Sequence, residues 1–499
     1  MTVQSHGRWH ESAGISRALY PSLFLSPSDV TPGTPQAHVV RHAFDLLELD
    51  GVFCTEGAPI VFFKLVENFA LDEVLAIHRR FWNHGGAPVL VLISSDRAEI
   101  YSGMSRPIRR EDVGTALPSL VATLENLITA VPEFLLAIES GAFFREYARS
   151  FDASRRVDRD LLSNLGDVRT KLSDGASDAI PIDVLDALLC RLVFTCYLFD
   201  RGVVGQRYLE ELDLGSAKHL RDVLSQRPLS KAKAGLFKIF RKLSEDFNGD
   251  LFSENIETAA RHVSNQHIAI LDDFFQGTRI GTGQRSFWPY DFQYIPIETI
   301  SAIYEHFLKA EDQEDGAFYT PRFLAEIVLD SALEGMGSLL GKRFLDPACG
   351  SGIFLVGLFN RIAEEWKVAN PNAHNDRRAR ELSHILQQNL FGIDINQTAC
   401  RIAAFSLYLA YLDQLSPRDI QTLQEKGRAL PRLIAEPSTS DEPGKTNEPG
   451  TIRCADFFDD QDFPRNVDLI VGNPPWGSTA GPKTRAGLWC ARAGRPLPD

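Results

Sequence analysis

Several features that stabilise or export a chain are missing from this sequence. Its 499 residues hold seven cysteines, Cys54, Cys190, Cys196, Cys349, Cys400, Cys454 and Cys490, an odd number with no CxxC pair. That argues against a disulfide framework or a zinc site, leaves no metal expected, and favours a reducing cytoplasm. No uncharged apolar run approaches the ~18 residues of a membrane helix. The longest, Ile402 to Leu412, has 11. The opening MTVQSHGRWHE lacks the charged-then-apolar order of a signal peptide. Positive charge is also in deficit, with 52 Lys and Arg against 66 Asp and Glu, a net of −14. Such a chain binds a polyanion only through local basic patches or through a part outside this sequence. What is present is an ordinary globular balance, 44% hydrophobic and 24% charged. At roughly 100–200 residues per domain, the length suits two to four domains.

Along the chain the pattern changes several times. Residues 1–37 are polar and turn-rich and are expected to be a flexible start. Residues 38–114 read as a small α/β domain: a helix from His38, a hairpin of GVFCTE and IVFFKLV around GAP, a helix through Leu71, Val74, His78, Phe81 and Trp82, and a second strand pair, PVLVLIS and AEIY. Residues 115–300 are helical in period, and DVLDALLCRLVFTCYLFDRG is apolar nearly all round, so it should be buried. Residues 301–477 alternate strand, loop and helix, which predicts a parallel, doubly wound sheet. Residues 478–499 show no strand or helix period and are expected to be an irregular tail. Arg227, Lys231, Lys233, Lys238, Arg241 and Lys242 form a local basic run that is either a solvated helix face or a contact for a nucleic-acid backbone.

Three motifs in the α/β region carry chemistry. Asp346-Pro347-Ala348-Cys349-Gly350-Ser351-Gly352 ends one strand and opens a helix. Small residues there let a ligand approach the backbone. This is not the phosphate-binding GxGxxG string, and an acid at its head suits a cationic group. Asp394 ends a second strand, LFGID, where a ribose diol would be held or, more plainly, where an acid caps a helix. It lies 48 residues after Asp346, against the ~20 of a dinucleotide fold. The segment 366–383 looks inserted to fill that gap. Asn473-Pro474-Pro475-Trp476 follows the strand DLIVG. Proline ends the strand and fixes the backbone, and it pushes Asn473 towards an extended conformation. An Asn carbonyl and a backbone carbonyl can then converge on one amino group, with Trp476 as a stacking face for a planar base.

The order Phe318-Tyr319-Thr320-Pro321, then DPACGSG, GID and NPPW, resembles the amino-methylating DNA methyltransferases. More narrowly it is similar to the N6-adenine enzymes of type I modification subunits and fused type II restriction–modification enzymes. The resemblance runs over about residues 286–476. It implies an S-adenosyl-L-methionine-dependent, Rossmann-like methyltransferase domain, preceded by a helical domain and the small α/β N-terminal domain. It further implies that Tyr319, Thr320, Pro321 and Asp346 meet the methionine end of the cofactor. Ala348, Gly350 and Gly352 would give it room, Asp394 would hold the ribose, and Ile395 and Asp456 would meet its adenine. Asn473, Pro474, Pro475 and Trp476 would hold a flipped-out target adenine. The implied partner is double-stranded DNA, with a specificity subunit or a missing C-terminal recognition domain, and no membrane. Two alternatives stay open: an amino methyltransferase acting on protein glutamine or RNA guanine, and a truncated fragment that only binds cofactor.

Two departures from the family pattern bear on this. The sequence runs only 23 residues past Trp476, where the family has further strands, and we expect truncation. In the N-terminal domain Asp50 and Lys64 faintly resemble a restriction-nuclease core, but Phe62 stands where a second acid should be. A metal-dependent nuclease needs clustered carboxylates, so cleavage is not expected.

Overall fold

The computed structural model describes residues 9–30, 34, 36–114, 116–174, 179–246, 256–283, 287–297, 299–300, 320–416, 431, 433–434, 451–458, 466–474 and 484–495. The chain forms two compact units, residues 1–179 with 266–296, and 180–265 with 297–499. Both are α/β. Among the described residues no helix is long and apolar enough to cross a membrane.

The first unit is built on a six-stranded mixed sheet whose strands lie in chain order: β1 (Leu23–Phe24), β2 (Gly51–Thr55), β3 (Ala58–Leu65), β4 (Val89–Ile93), β5 (Arg97–Ser102) and β6 (Leu120–Glu125). Only β3 and β4 are parallel, joined by the helix Leu71–His84. The hairpin turn is Glu56-Gly57, both with positive φ (49° and 81°), the pairing a tight two-residue turn requires. Alternate residues feed the two faces of the sheet. Phe53, Val61, Phe63 and Val91 enter one core, and Val52, Phe62, Leu90 and Leu92 the other.

Three boundaries drawn from sequence move. From Trp9 onward the expected flexible start belongs to the fold: the Trp9 indole donates to the Asp50 carbonyl at 3.0 Å, and Trp9, Ala13, Ile15 and Leu23 are buried. The α/β part does not end at 114, because LVATLE pairs with β5 as strand β6. That short strand was hidden by the helix period of Leu127–Glu139, which follows it at once. Nor do residues 115–300 stand as one helical body. The helix Val157–Ser173 lies in the first unit, and Ile182–Asp200 and Leu229–Asp246 lie in the second.

The second unit carries a four-stranded parallel sheet in the order β10 (Leu469–Ile470), β7 (Phe344–Asp346), β8 (Leu390–Asp394), β9 (Ile452–Cys454). The helices Ile353–Ala369 and Asn375–Gln388 connect β7 to β8. The segment read as an insertion thus contributes a helix whose Ala379, Leu382, Ile385 and Leu386 are buried. The apolar helix Ile182–Asp200 is buried as its composition demands. It packs on Gln397–Asp413, with the Phe194 and Phe405 rings 5.2 Å apart and Arg201 paired with Asp413. The tail is not irregular throughout, since Arg485–Arg492 is a helix. Thr484 caps it, its hydroxyl accepting from the Gly487 amide at 3.1 Å. Its two large apolar side chains, Leu488 and Trp489, are adjacent and show no helical period.

Candidate active site

Chain order and sheet order part company at β7. The chain runs from β7 to β8 and β9 on one side, and returns to β10 on the other. In open parallel sheets a crevice forms outside the carboxyl ends of strands at such a switch point, and ligands bind there. Asp346 ends β7, and Asn473 lies three residues past β10. The register pairs Leu469 with Phe344 and Ile470 with Leu345. The Val471 amide donates to the Leu345 carbonyl at 2.9 Å, which extends the pairing to the edge of the motif. Gly472 then passes so close that a Cβ on it would lie 2.4 Å from Asp346 Oδ1.

Asp346 is 1% exposed. Its Oδ1 accepts from the Ala348 amide at 3.1 Å, and its Oδ2 is buried without a hydrogen-bond partner. Burial, with Asp394 nearby adding like-charge repulsion, raises its pKa to about 7 against the Ala348 hydrogen bond. An orphaned buried carboxylate oxygen costs free energy unless something cationic or protic meets it.

The loop after Asp346 is held from two sides. The Cys349 amide donates to the Ile393 carbonyl at 2.8 Å, and the Gly350 amide to Asp394 Oδ2 at 2.9 Å. Gly350 and Gly352 have φ of 52° and 82°, left-handed conformations natural to glycine. Gly352 caps the helix Ile353–Ala369, and a Cβ there would meet Ala403 at 3.1 Å, whereas one on Gly350 would meet no atom within 4 Å. Cys349 is buried, and desolvation holds its thiol pKa far above the usual value. A thiolate route through Cys349 is therefore disfavoured.

Asp394 also accepts from the Asn396 amide, through Oδ1 at 2.9 Å. It is a brace between loop and strand as well as a candidate ligand, since a carboxylate offers about four acceptor sites. Ile395 beside it is 71% exposed, a large apolar side chain at a strand end. Asp456 follows β9 and accepts from the Phe458 amide at 2.9 Å, and its Oδ2 lies 3.8 Å from Arg485.

The site also draws in a segment far upstream. The Asn473 side-chain amide donates to the Thr320 hydroxyl at 3.1 Å. Thr320 precedes Pro321, which caps the helix Arg322–Leu333. Of the expected site residues, Thr320, Asp346, Ala348, Gly350, Asp394 and Asn473 are thus linked to one another or through the same loop, and Pro321, Gly352, Ile395, Asp456 and Pro474 lie along the same connections. Tyr319, Pro475 and Trp476 lie outside the described residues. Two contributors were missed. Gly472 is visible only as the residue before the Asn-Pro pair, and Arg485 sits in the tail read as irregular.

These elements form a candidate ligand site at the switch point of a parallel α/β sheet, with an acidic rather than a phosphate-binding loop. Residues 296–487 match the model of the N-6 DNA Methylase family. The chain is 25% identical over 195 residues to the adenine-specific methyltransferase PglX of Streptomyces coelicolor, a stretch covering 35% of this chain and 16% of that protein. It is 25% identical over 179 residues to the type I restriction enzyme EcoEI methylase subunit of Escherichia coli, covering 36% and 27%. The matched stretches thus span well under a third of either relative. Among solved structures, the type IIG restriction endonuclease BpuSI aligns over 93% of this chain and 48% of its own, at 14% identity and a TM-score of 0.34.

Proposed function

We propose that the second unit is an S-adenosyl-L-methionine-dependent methyltransferase domain of Rossmann-like, doubly wound type that methylates the N6 amino group of adenine in double-stranded DNA, within a restriction–modification or related defence system. One observation carries the reading: the buried, partnerless Oδ2 of Asp346 at the switch point. An α-ammonium group is the partner that would satisfy this oxygen, and no phosphate would be tolerated beside it. The donor set fits the rest of such a cofactor. Thr320 and Pro321 stand at the same edge, with Tyr319 next in sequence. Ala348, Gly350 and Gly352 leave a small-residue wall, Asp394 retains acceptor capacity for a ribose diol, and Ile395 and Asp456 lie at the adenine end.

The bound cofactor supplies an electrophilic methyl group on sulfonium. The chain's own residues hold the nucleophile. An exocyclic amine is poor because its lone pair is delocalised into the ring. Acceptance of its two N–H bonds by the Asn473 side-chain oxygen and the Pro474 carbonyl favours the tetrahedral nitrogen that restores the lone pair. Asn473 and Pro474 would hold the amine while it takes up that methyl group and then releases a proton to solvent. The contribution is positioning and stabilisation of developing positive charge. The base must leave the duplex to reach this site, and Trp476 and Pro475 would wall it.

DNA is not drawn by overall charge, at −14. The basic run on the helix Leu229–Asp246 is half spent internally, with Lys238 on Asp213, Arg241 on Glu257 and Lys242 on Asp246. One relative is by name a subunit of a type I enzyme. A specificity subunit or recognition domain reading the bases fits both facts. The deciding experiment measures cofactor binding by calorimetry and transfer of labelled methyl to duplex DNA, alone and with a co-encoded specificity subunit. Transfer to adenine N6 is expected. Binding with transfer only to protein glutamine or RNA guanine would redirect the reading, and no cofactor binding would end it.

A further inference from the structure

The helix Arg322–Leu333, which starts immediately after Thr320-Pro321, lies against Ile353–Ala369, which starts immediately after the Asp346–Gly352 loop. Their approach is close: a Cβ on Gly357 would fall 2.6 Å from Leu329 Cδ1. Across this contact Arg361 Nη2 donates to Glu326 Oε2 and to Asp330 Oδ1, both at 2.6 Å, while Nη1 donates to the Gly357 carbonyl at 3.2 Å. Arg361 and Glu326 are buried, with side chains 11% and 5% exposed. Glu326 and Asp330 are four apart on one helix face, where like charges repel unless a cation lies between them.

A buried triad of this kind is weak as a source of stability, because desolvation offsets its attraction. Its geometry is specific instead: the planar guanidinium holds its own helix through Nη1 on the Gly357 carbonyl and reaches both carboxylates of the other helix through Nη2, an arrangement a lysine ammonium only partly matches. Glu326 lies in the second turn of the helix that begins two residues after Thr320, so a slip of this helix would move Thr320 relative to Asp346 and would strain the Thr320–Asn473 hydrogen bond. We propose that Arg361, with Glu326 and Asp330, is a positioning clamp that sets the spacing between Thr320 and the Asp346 loop, and so tunes recognition of the amino-acid end of the cofactor. This rests on the methyl-donor reading above. Asp394, Ile395 and Asp456 lie on β8, β9 and their loops, and Asp394 is tied to the Asp346 loop by the Gly350 amide, so a shift of Thr320 against that loop leaves the ribose and adenine end in place.

The test compares two ligands that differ only in the amino-acid end, S-adenosylhomocysteine and 5′-methylthioadenosine, by calorimetry on the full chain. Arg361→Gln is expected to weaken S-adenosylhomocysteine about tenfold and leave methylthioadenosine within twofold, with Arg361→Lys recovering part of the loss. Should Arg361→Gln fail to fold, Asp330→Asn, at the more exposed arm of the triad, is expected to give about a threefold loss with the same selectivity. A structural role alone would lower the melting temperature and leave the ratio of the two affinities unchanged. An unchanged ratio in the folded variants, or equal loss of both ligands, overturns the clamp. Unsubstituted protein that binds neither ligand overturns the methyl-donor reading itself and the clamp with it, a result distinct because it needs no variant.

Discussion

The Asn473 side-chain amide donates to the Thr320 hydroxyl across 153 positions of sequence, at 3.1 Å. With the NH2 arm bonded to Thr320, rotation of the amide is restrained, and with it the direction of the carbonyl arm. That is the arm the proposed chemistry uses. Asn473→Ala removes it without touching Asp346 or Asp394. In the assembly that methylates duplex DNA, the variant should lose at least about a hundredfold in rate, the scale of losing one oriented transition-state group. Cofactor affinity should stay within about threefold. Joint loss of rate and affinity would make Asn473 a structural residue.

Asp346 sets a pH dependence whose sign follows from its environment. Burial raises its pKa from an ordinary 3.8 to about 7. A carboxyl whose folded pKa is raised gives stability that is full below the unfolded value and is lost as pH rises through the folded one. The ligand-free protein should therefore lose stability between about pH 4 and 7. Asp346→Asn should remove that loss, melting higher than the unsubstituted protein at pH 8 and level with it near pH 4. Cofactor affinity of the unsubstituted protein should rise over pH 6–8, as the carboxylate proposed to meet the ammonium ionises. Thermal melts of the two proteins that run parallel across this range would refute the assignment.

Much of the site was legible because its residues are punctuation. Gly350 and Gly352 mark a turn, Pro474 ends a strand, and Asp346 and Asp394 close apolar runs, so local sequence reports their backbone roles. Long-range pairing is not written locally. Nothing near Thr320 predicts its bond to Asn473, and nothing near Arg361 predicts Glu326 and Asp330. The same cause hid the first unit's outer strands. Leu23–Phe24 is two residues long and is a strand only because Phe53 and Val52 lie beside it. Likewise, the pairing of Lys238 and Arg241 is not written in the basic run 227–242, because their acids, Asp213 and Glu257, lie outside it.

The first unit should not cut DNA. Lys64 donates to the carbonyls of Leu47 at 3.1 Å and Glu48 at 2.7 Å, and Asp50 Oδ2 accepts from the Leu65 amide at 2.7 Å. Burial holds the Lys64 pKa below that of an ordinary lysine. Both groups thus fasten β3 to the chain entering β2, and Phe62, fully buried, supplies no ligand for Mg²⁺. Incubation of plasmid with purified protein and Mg²⁺ should leave it intact. Cleavage abolished by Lys64→Ala would show that these residues form a working metal site.

Two glycines of the site separate sterics from backbone strain. At Gly472 the added methyl of an alanine would sit 2.4 Å from Asp346 Oδ1, 3.1 Å from Asp346 Cγ and 3.4 Å from Pro347 Cδ. The carboxylate must move, because the proline and strand backbone behind it cannot. At Gly350 a methyl would meet no atom within 4 Å, but φ is 52°, which costs an alanine roughly 1–2 kcal/mol. Gly350→Ala should therefore melt a few degrees lower, at about 2–4 °C per kcal/mol, and bind cofactor within a few-fold of the unsubstituted protein. Gly472→Ala should lose more than about tenfold in cofactor affinity, because its methyl displaces the carboxylate proposed to meet the ammonium. If Gly350→Ala were the more damaging to affinity, the ligand would lie over the loop backbone rather than against Asp346.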